Sequence, residues 1–430
     1  MTLQHAHSRT TTSLKHTVRS ARSRRTADSA GHTTATALPG SIALLSTYPP
    51  TQCGLATFTQ ALYGQLSKLP GRVGIISVLD APDDGTHASP GVVGYLVNGS
   101  AASAAEAVRT LVGYGTVIVQ HEYGIYGGRD GVDVLEVVEA LTVPTIVVLH
   151  TVLQEPSDSQ RDILNRLVSA SDVVVTMTQT GRRRLEECYG VDPEHIAVIP
   201  HGAIDHGTLG RTHPANDRPF VLTWGLLGPG KGIEWAIDAM VALKDLNPRY
   251  LVIGKTHPKV LEKDGEQYRQ SLVERASTAG VTDVVEFDSS YLSLTELADL
   301  VERADVVLLP YDSPDQVTSG VLIEAVAAGR PVVSTAFPHA VELLSGGAGL
   351  LVPQRDPAAM AAALRRVITE PGLAQQMADT AAGQAPDLAW AAVARRYRDV
   401  AVDLSAAAPP AAVLPAAALP TQPATLATAS

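Results

Sequence analysis

Cysteine, aromatic residues and surplus positive charge are all scarce in this chain of 430 residues. The two cysteines, Cys53 and Cys188, stand far apart and match no metal-ligand spacing, so a Cys-based metal site is excluded and free thiols in a reducing cytoplasm are expected. Aromatic residues make up 4%, too few for base-stacking platforms, and the formal net charge of −11 has the wrong sign for a polyphosphate backbone. Nucleic acid is therefore not expected as a partner. No apolar run reaches the ~20 residues needed to span a bilayer. Residues 1–40 are rich in Ser, Thr, Ala and Arg, with Arg9, Lys15, Arg19, Arg22, Arg24 and Arg25 against the single acid Asp28. They lack the apolar stretch of a secretory signal, and a disordered basic tail is expected. Residues 405–430 form an Ala/Pro-rich tail, also expected to be disordered, whose prolines forbid a membrane helix.

What is present is a globular middle. Hydrophobic residues at 45% and charged residues at 18% suffice for full-sized cores in two to three domains. Short apolar or β-branched runs predict buried parallel strands at Ser41–Ser46, Val73–Leu79, Val117–Gln120, Thr145–His150, Asp172–Met177 and Ala197–Pro200. Helical patterns lie between them at Thr57–Lys68, Gly131–Leu141, Ser157–Ala170 and Gly181–Tyr189. After a polar break at His206–Pro219 the alternation restarts, with strands at Phe220–Trp224, Tyr250–Ile253, Val284–Phe287, Asp305–Pro310, Pro331–Ser334 and Gly349–Val352. The pattern predicts two Rossmann-like, doubly wound α/β domains, residues 41–205 and 217–375, facing across a cleft where ligands of open α/β sheets bind.

The loops at the carboxyl ends of these strands carry the candidate chemistry. Strand Asp305–Pro310 runs into a small polar loop at Thr318, Ser319 and Gly320, and a helix follows with Glu324 in its first turns. Unpaired N–H groups at a helix start suit a phosphate, and a carboxylate one turn further on can reach a ribose. In the second half, Gly225, Gly230 and Lys231 fit G-x-x-x-x-G-K, but Gly232 stands where a nucleotide triphosphatase needs a hydroxyl for Mg²⁺. The reading is a phosphate held by lysine and backbone; a solvated lysine in a Gly-rich turn is the bland alternative. In the first half, Gly54 lets backbone approach a ligand, and the absence of G-x-G-x-x-G after the first strand argues against a dinucleotide-binding dehydrogenase. His121, followed by Glu122, and His150 both end strands on the cleft side, and His201 sits at the hinge entrance. Asp83 and Asp84 make no convincing DXD metal site, and no metal is expected. Arg182, Arg183 and Arg184 form a basic helical patch; a solvated face is the simple reading, and contact with anionic lipid at the inner membrane face or with a charged acceptor is the sharper one.

Taken together, the Gly54 loop, VVLHT with His150, AVIPHGA at Ala197–Ala203, GLLGPGKG at Gly225–Gly232, ADVVLLPY, the segment Gln316–Glu324 and AGRPVVST resemble the retaining GT-B glycosyltransferases of the family 4 type, over residues 41–404. The segment 376–404, with Trp390 and Tyr397, looks like the final helix that in this fold crosses back to the first domain. The resemblance implies a GT-B enzyme that moves a hexosyl group of the glucose or mannose type from a nucleotide-diphosphate sugar to a hydroxyl of a glycan, lipid or small-molecule acceptor, with retention and without a cofactor. It implies that Lys231 and Gly230 bind the donor diphosphate, that Thr318, Ser319, Gly320 and Val321 offer the phosphate loop, and that Glu324 accepts ribose hydroxyls. His150 would lie beside the donor sugar, His121 and Glu122 on the acceptor side, and Cys53 and Gly54 near the diphosphate. Two positions depart from the family pattern: Leu226 stands where the loop usually has Arg, and Gln316 where the first acid of Glu-x₇-Glu falls, with Asp315 beside it. A GT-B epimerase or phosphorylase and a non-catalytic nucleotide-sugar or glycan-binding protein are the alternatives.

Overall fold

The computed structural model describes residues 38–82, 85, 89–206, 216–313 and 316–407. Both tails, Asp83, Asp84 and Asp315 therefore lie outside the described residues, as does most of the expected linker.

The first half contains strands β1 (Leu38–Ser46), β2 (Val73–Leu79), β3 (Val92–Val97), β4 (Tyr114–His121), β5 (Thr145–Leu149), β6 (Val173–Thr176) and β7 (Ile196–Val198). Its helices are α1 (Gly54–Leu66), α2 (Ala101–Leu111), α3 (Val134–Val138), α4 (Asp158–Ala170) and α5 (Gln179–Tyr189). The second half contains β8 (Phe220–Trp224), β9 (Arg249–Ile253), β10 (Val285–Asp288), β11 (Val306–Leu309), β12 (Val332–Thr335) and β13 (Gly349–Val352). Its helices are α6 (Ile233–Val241), α7 (Pro258–Asp264), α8 (Gln267–Thr278), α9 (Leu294–Arg303), α10 (Gly320–Ala327), α11 (Pro338–Leu344), α12 (Pro357–Thr369) and α13 (Leu373–Leu388), and α14 (Trp390–Ala407) closes the chain. No helix among the described residues is long and apolar enough to cross a membrane.

Every strand pairing is parallel, in the orders β3-β2-β1-β4-β5-β6-β7 and β10-β9-β8-β11-β12-β13. In each sheet the chain winds outward from its first strand, then returns to wind the other way, so a crevice opens between β1 and β4 and between β8 and β11. The loops leaving those four strands carry Gly54, Glu122, Lys231 and Ser319, which is where a doubly wound sheet binds its ligand.

Parallel strands buried on both faces must be apolar throughout, and β5 and β6 are buried at every position. One face of the first sheet is covered by α2, α3 and α4 through Leu111, Val138 and Leu167, and the other by α1 and α14 through Phe58, Leu62, Val393 and Tyr397. Two further clusters fill both faces of the second sheet. The helices start where side chains satisfy their free N–H groups: α4 and α9 carry reciprocal capping boxes, Ser157 with Gln160 and Ser293 with Glu296.

Three points differ from expectation. A helix over Gly131–Leu141 is replaced by a 3₁₀ turn at Arg129–Gly131 and the short α3, because Gly131 with φ +78 and Asp130 with φ 53 break the helical path. The first sheet also has an edge strand, β3, that the apolar runs did not predict; its half-buried, Gly-containing VVGYLV lacks the uniform burial of its neighbours. The segment 376–404 is two elements. Helix α13 packs on the second half through Met377, Ala381 and Leu388, and the crossing occurs at Ala389, stitched by Ala203 N–H to Leu388 O at 2.8 Å and Trp390 N–H to Ala203 O at 3.0 Å.

Candidate functional site

From Trp224 the chain turns through Gly225–Gly232 before α6 begins. Gly232 has φ +63, and a Cβ there would lie 2.0 Å from Pro310 O, so only glycine lets this loop pass the exit of β11. Gly254, at φ +142, likewise passes the loop's own backbone, its hypothetical Cβ 2.0 Å from Gly225 O. Hydrogen bonds from Leu227 N–H to Lys255 O and from His257 N–H to Leu227 O, both 2.8 Å, fix the turn against the β9 exit. Lys231 is left with its Nζ 4.2 Å above the centre of the Tyr311 ring. Nearby acids are engaged elsewhere: Glu234 accepts from Tyr268 Oη at 3.2 Å, and Asp312 pairs with Arg355 at 3.2 Å and accepts from Trp235 Nε1 at 3.3 Å. The ammonium thus rests on an aromatic face with its charge uncancelled by these carboxylates. Its charge is felt at His257, which burial and then the charges of Lys231 and Lys259 hold below the usual imidazole range.

Helix α10 begins beside this loop; a Cβ on Gly225 would stand 3.6 Å from Val321 Cγ2. Ser319 caps it, its Oγ accepting from Leu322 N–H at 3.2 Å. Ser319 N–H donates to Nδ1 of the buried His339 at 2.8 Å, so in this structure Gly320 and Val321 are the amides left for an anion. Gln316 Nε2 donates to Thr318 O, while Thr318 Oγ1 is buried without a partner among the described residues. Glu324 lies one turn into α10. Its Oε2 accepts from Ile204 N–H at 3.2 Å and stands 3.9 Å from His206 Nε2, so this carboxylate also anchors the segment leaving the first half.

The opposite wall comes from β1, β4 and β5. Cys53 caps α1, its Sγ accepting from Ala56 N–H at 3.4 Å, and Gly54 has open space where a side chain would stand. His150 lies 2.7 Å through Nε2 from Gln120 Oε1. Burial, and then the proximity of His201 and His121, lower its pKa to about 3, so the ring is neutral. His121 is fully buried, held down to about 4 by burial, with neither ring nitrogen hydrogen-bonded among the described residues; it packs edge-on against Tyr123 at 4.9 Å, behind the wall. Burial raises the pKa of Glu122, against the Thr151 hydroxyl at 2.5 Å, the Tyr123 N–H and the charge of Lys259.

Several residues that join the two halves were not singled out from sequence. Lys259 Nζ lies 2.7 Å from where a Cβ on Gly124 would stand, Lys255 Nζ donates to Gln52 Oε1 at 2.9 Å, and the Tyr291 and Thr57 hydroxyls meet at 3.3 Å. Glu342 accepts from Gln179 and Thr180 N–H at 2.8 and 3.1 Å, capping α5 across the junction. Phe58 meets His150, His201 and Trp390 edge-on at 4.9, 5.1 and 4.9 Å. A lysine just before or inside a helix gives no local periodicity that marks it; only the topology brings these residues together. The three arginines of the basic patch have separate partners: Arg182 pairs with Glu186 at 2.7 Å, Arg183 donates to Thr180 Oγ1 at 2.9 Å, and the buried Arg184 donates to Val152 O at 2.8 Å. Among the described residues no cluster of three or more His, Cys, Asp or Glu is arranged to hold a metal ion.

Two family models match the chain, "Glycosyltransferase Family 4" over residues 54–205 and "Glycosyl transferases group 1" over residues 218–370. The chain is 29% identical over 295 residues to a D-inositol 3-phosphate glycosyltransferase of Streptomyces bingchenggensis, covering 61% of this chain and 62% of that protein. It is 31% identical over 234 residues to a glycogen synthase of Mycobacterium tuberculosis, covering 53% of each. The matches thus span about three-fifths or less of these relatives' lengths. Among solved structures, Anabaena HepE in complex with UDP and glucose superposes with a TM-score of 0.66 at 17% identity, covering 84% of this chain and 98% of that one. With one model on each half, and the facing parallel sheets of solved glycosyltransferases, the chain belongs to the GT-B glycosyltransferases of the family 4 type.

Proposed function

We propose that the protein transfers a hexosyl group from a nucleotide-diphosphate sugar to an acceptor hydroxyl, with retention and without a metal. The observation that carries this reading is that the loop bearing Lys231 packs through Gly225 against Val321 at the start of α10, so that an uncancelled ammonium over Tyr311 and the amides of Gly320 and Val321 belong to one crevice. A departing nucleoside diphosphate gains negative charge as the glycosidic bond breaks. Donors already aimed at that charge stabilise the transition state more than the ground state. In this reading Lys231 with Gly230 takes the diphosphate, Gly320 and Val321 take its distal phosphate behind Thr318 and Ser319, and Glu324 accepts a ribose hydroxyl. Gly54 permits approach from the facing wall. His150 borders the sugar as a neutral imidazole, Gln316 offers its amide to a sugar hydroxyl, and Glu122 with His121 behind it lines the acceptor side. Relatives named D-inositol 3-phosphate glycosyltransferase and glycogen synthase support glycosyl transfer, and a fold neighbour solved in complex with UDP and glucose supports a nucleotide-sugar donor.

The test is incubation of pure protein with a panel of nucleotide sugars and acceptors. Acceptor-dependent release of free nucleotide, with the new anomeric configuration read by NMR, is expected. Tight nucleotide-sugar binding without turnover against any acceptor would overturn transfer in favour of a binding protein.

A further inference from the structure

The start of α10 lies between two histidines that are both held neutral. His201 Nδ1 lies 2.6 Å from the Gly202 carbonyl, which can only accept, so the proton sits on Nδ1 and Nε2 carries a lone pair. That nitrogen stands 2.8 Å from where a Cβ on Gly320 would be, so residue 320 has no room for a side chain. On the other flank His339, 3% exposed at the beginning of α11, accepts the Ser319 N–H through Nδ1 at 2.8 Å. Its own N–H approaches the preceding loop, with Gln316 O 3.5 Å away. A second observation marks the same spot: the Thr318 hydroxyl oxygen is buried here without a partner among the described residues. Burial and the neighbouring His201 depress the pKa of His339 to about 3, so its lone pair stays available throughout the neutral range.

We infer that His339 is a positioning residue for donor binding: by taking the Ser319 amide it locks the turn at Thr318–Ser319, so that Gly320 and Val321 present their N–H groups to a phosphate without rearrangement. The inference rests on the reading of this crevice as a nucleotide-sugar site. A turn without that anchor would sample several orientations, and ordering it on binding would weaken affinity. A mere packing role would need only the volume of the ring. The acceptor atom is what the turn requires, and an asparagine can supply an oxygen near the place of Nδ1.

The experiment compares the wild type with His339→Asn, His339→Leu and Lys231→Met. The first readout is hydrogen exchange at Ser319 in the unliganded protein, where the wild type and His339→Asn are expected to be protected and His339→Leu to exchange at least ten times faster. The second is the Kd for UDP, expected to rise about 10-fold in His339→Leu, within about 3-fold of wild type in His339→Asn. KM for the donor should follow Kd, with kcat changed less. Equal Ser319 exchange in all three His339 forms, or equal UDP weakening in the Leu and Asn variants, would overturn the role. Lys231→Met tests the nucleotide site by itself: if it leaves UDP binding unchanged, the nucleotide site is wrong, whatever His339 does to its turn.

Discussion

Replacing Lys231 with methionine removes the ammonium while leaving an unbranched apolar chain over Tyr311. In the free protein the loss is small. A cation at 4.2 Å from the ring centre of a buried tyrosine contributes about 0.5–1 kcal/mol. Methionine restores part of that through its own contact, so the melting temperature should fall by no more than about 2–4 °C. For the ligand the loss is larger. A hydrogen bond to a charged group contributes about 1.5–3 kcal/mol, and at about 1.4 kcal/mol per decade this is a 10- to 150-fold rise in Kd for UDP. Because charge on the leaving diphosphate grows toward the transition state, kcat/KM should fall by at least the same factor. Isothermal titration with UDP, beside steady-state kinetics with the productive donor, reads both. The wild-type affinity should also drop with added salt more steeply than that of the variant. A folded Lys231→Met protein whose UDP affinity and kcat/KM stay within about 2-fold of wild type would refute the assignment of the ammonium to the diphosphate.

Other perturbations test the scaffold around it. Gly232→Ala places a Cβ 2.0 Å from Pro310 O at φ +63, so the loop must shift and carry Lys231 with it. A loss of UDP affinity of at least about 10-fold by calorimetry is expected, and unchanged binding would show that the loop tolerates displacement. His206 lies 2.9 Å from Glu302 and 3.9 Å from Glu324; burial pulls its pKa down, but the two carboxylates together raise it above the ordinary value. A raised folded-state pKa means that the stabilisation is complete below about pH 6.5 and is lost as pH rises through the folded value. Urea titrations should therefore show wild type ahead of His206→Gln by a margin that narrows as the pH is raised above about 6.5, and a constant margin would count against the charged triad. Phe58→Ala, at 2% exposure between His150, His201 and Trp390, should destabilise by about 3–5 kcal/mol in urea unfolding, and a change under about 1 kcal/mol would mean the cluster collapses around the gap.

The two doubly wound sheets were legible because uniform apolarity marks a parallel strand covered on both faces, and segments such as Thr145–His150 and Phe220–Trp224 read that way without ambiguity. Strand β3 escaped notice for the converse reason, lying at the edge with Val93 38% exposed. At the site, Lys231 and Ser319 stood out because glycine-rich turns and helix starts have local signatures. His339 and Glu342 did not, since their partners, Ser319 and the start of α5, are 20 and more than 160 residues away. The arginines at 182–184 show the limit of reading adjacent charges as a patch: helical geometry turns each toward a different neighbour, and one of them ends inside the protein.

The return of α14 to the first sheet has a consequence for how the chain is made. Trp390, Val393, Tyr397 and Leu404 supply part of the cover over Ile42, Leu44 and Ile146, yet they emerge from the ribosome about 190 to 205 residues after β7 is complete. The N-terminal half therefore waits, with an apolar sheet face partly bare, while the entire C-terminal half is synthesised. Any fragment ended near residue 205 would carry that bare face permanently, and its aggregation would report the missing cover rather than a faulty strand.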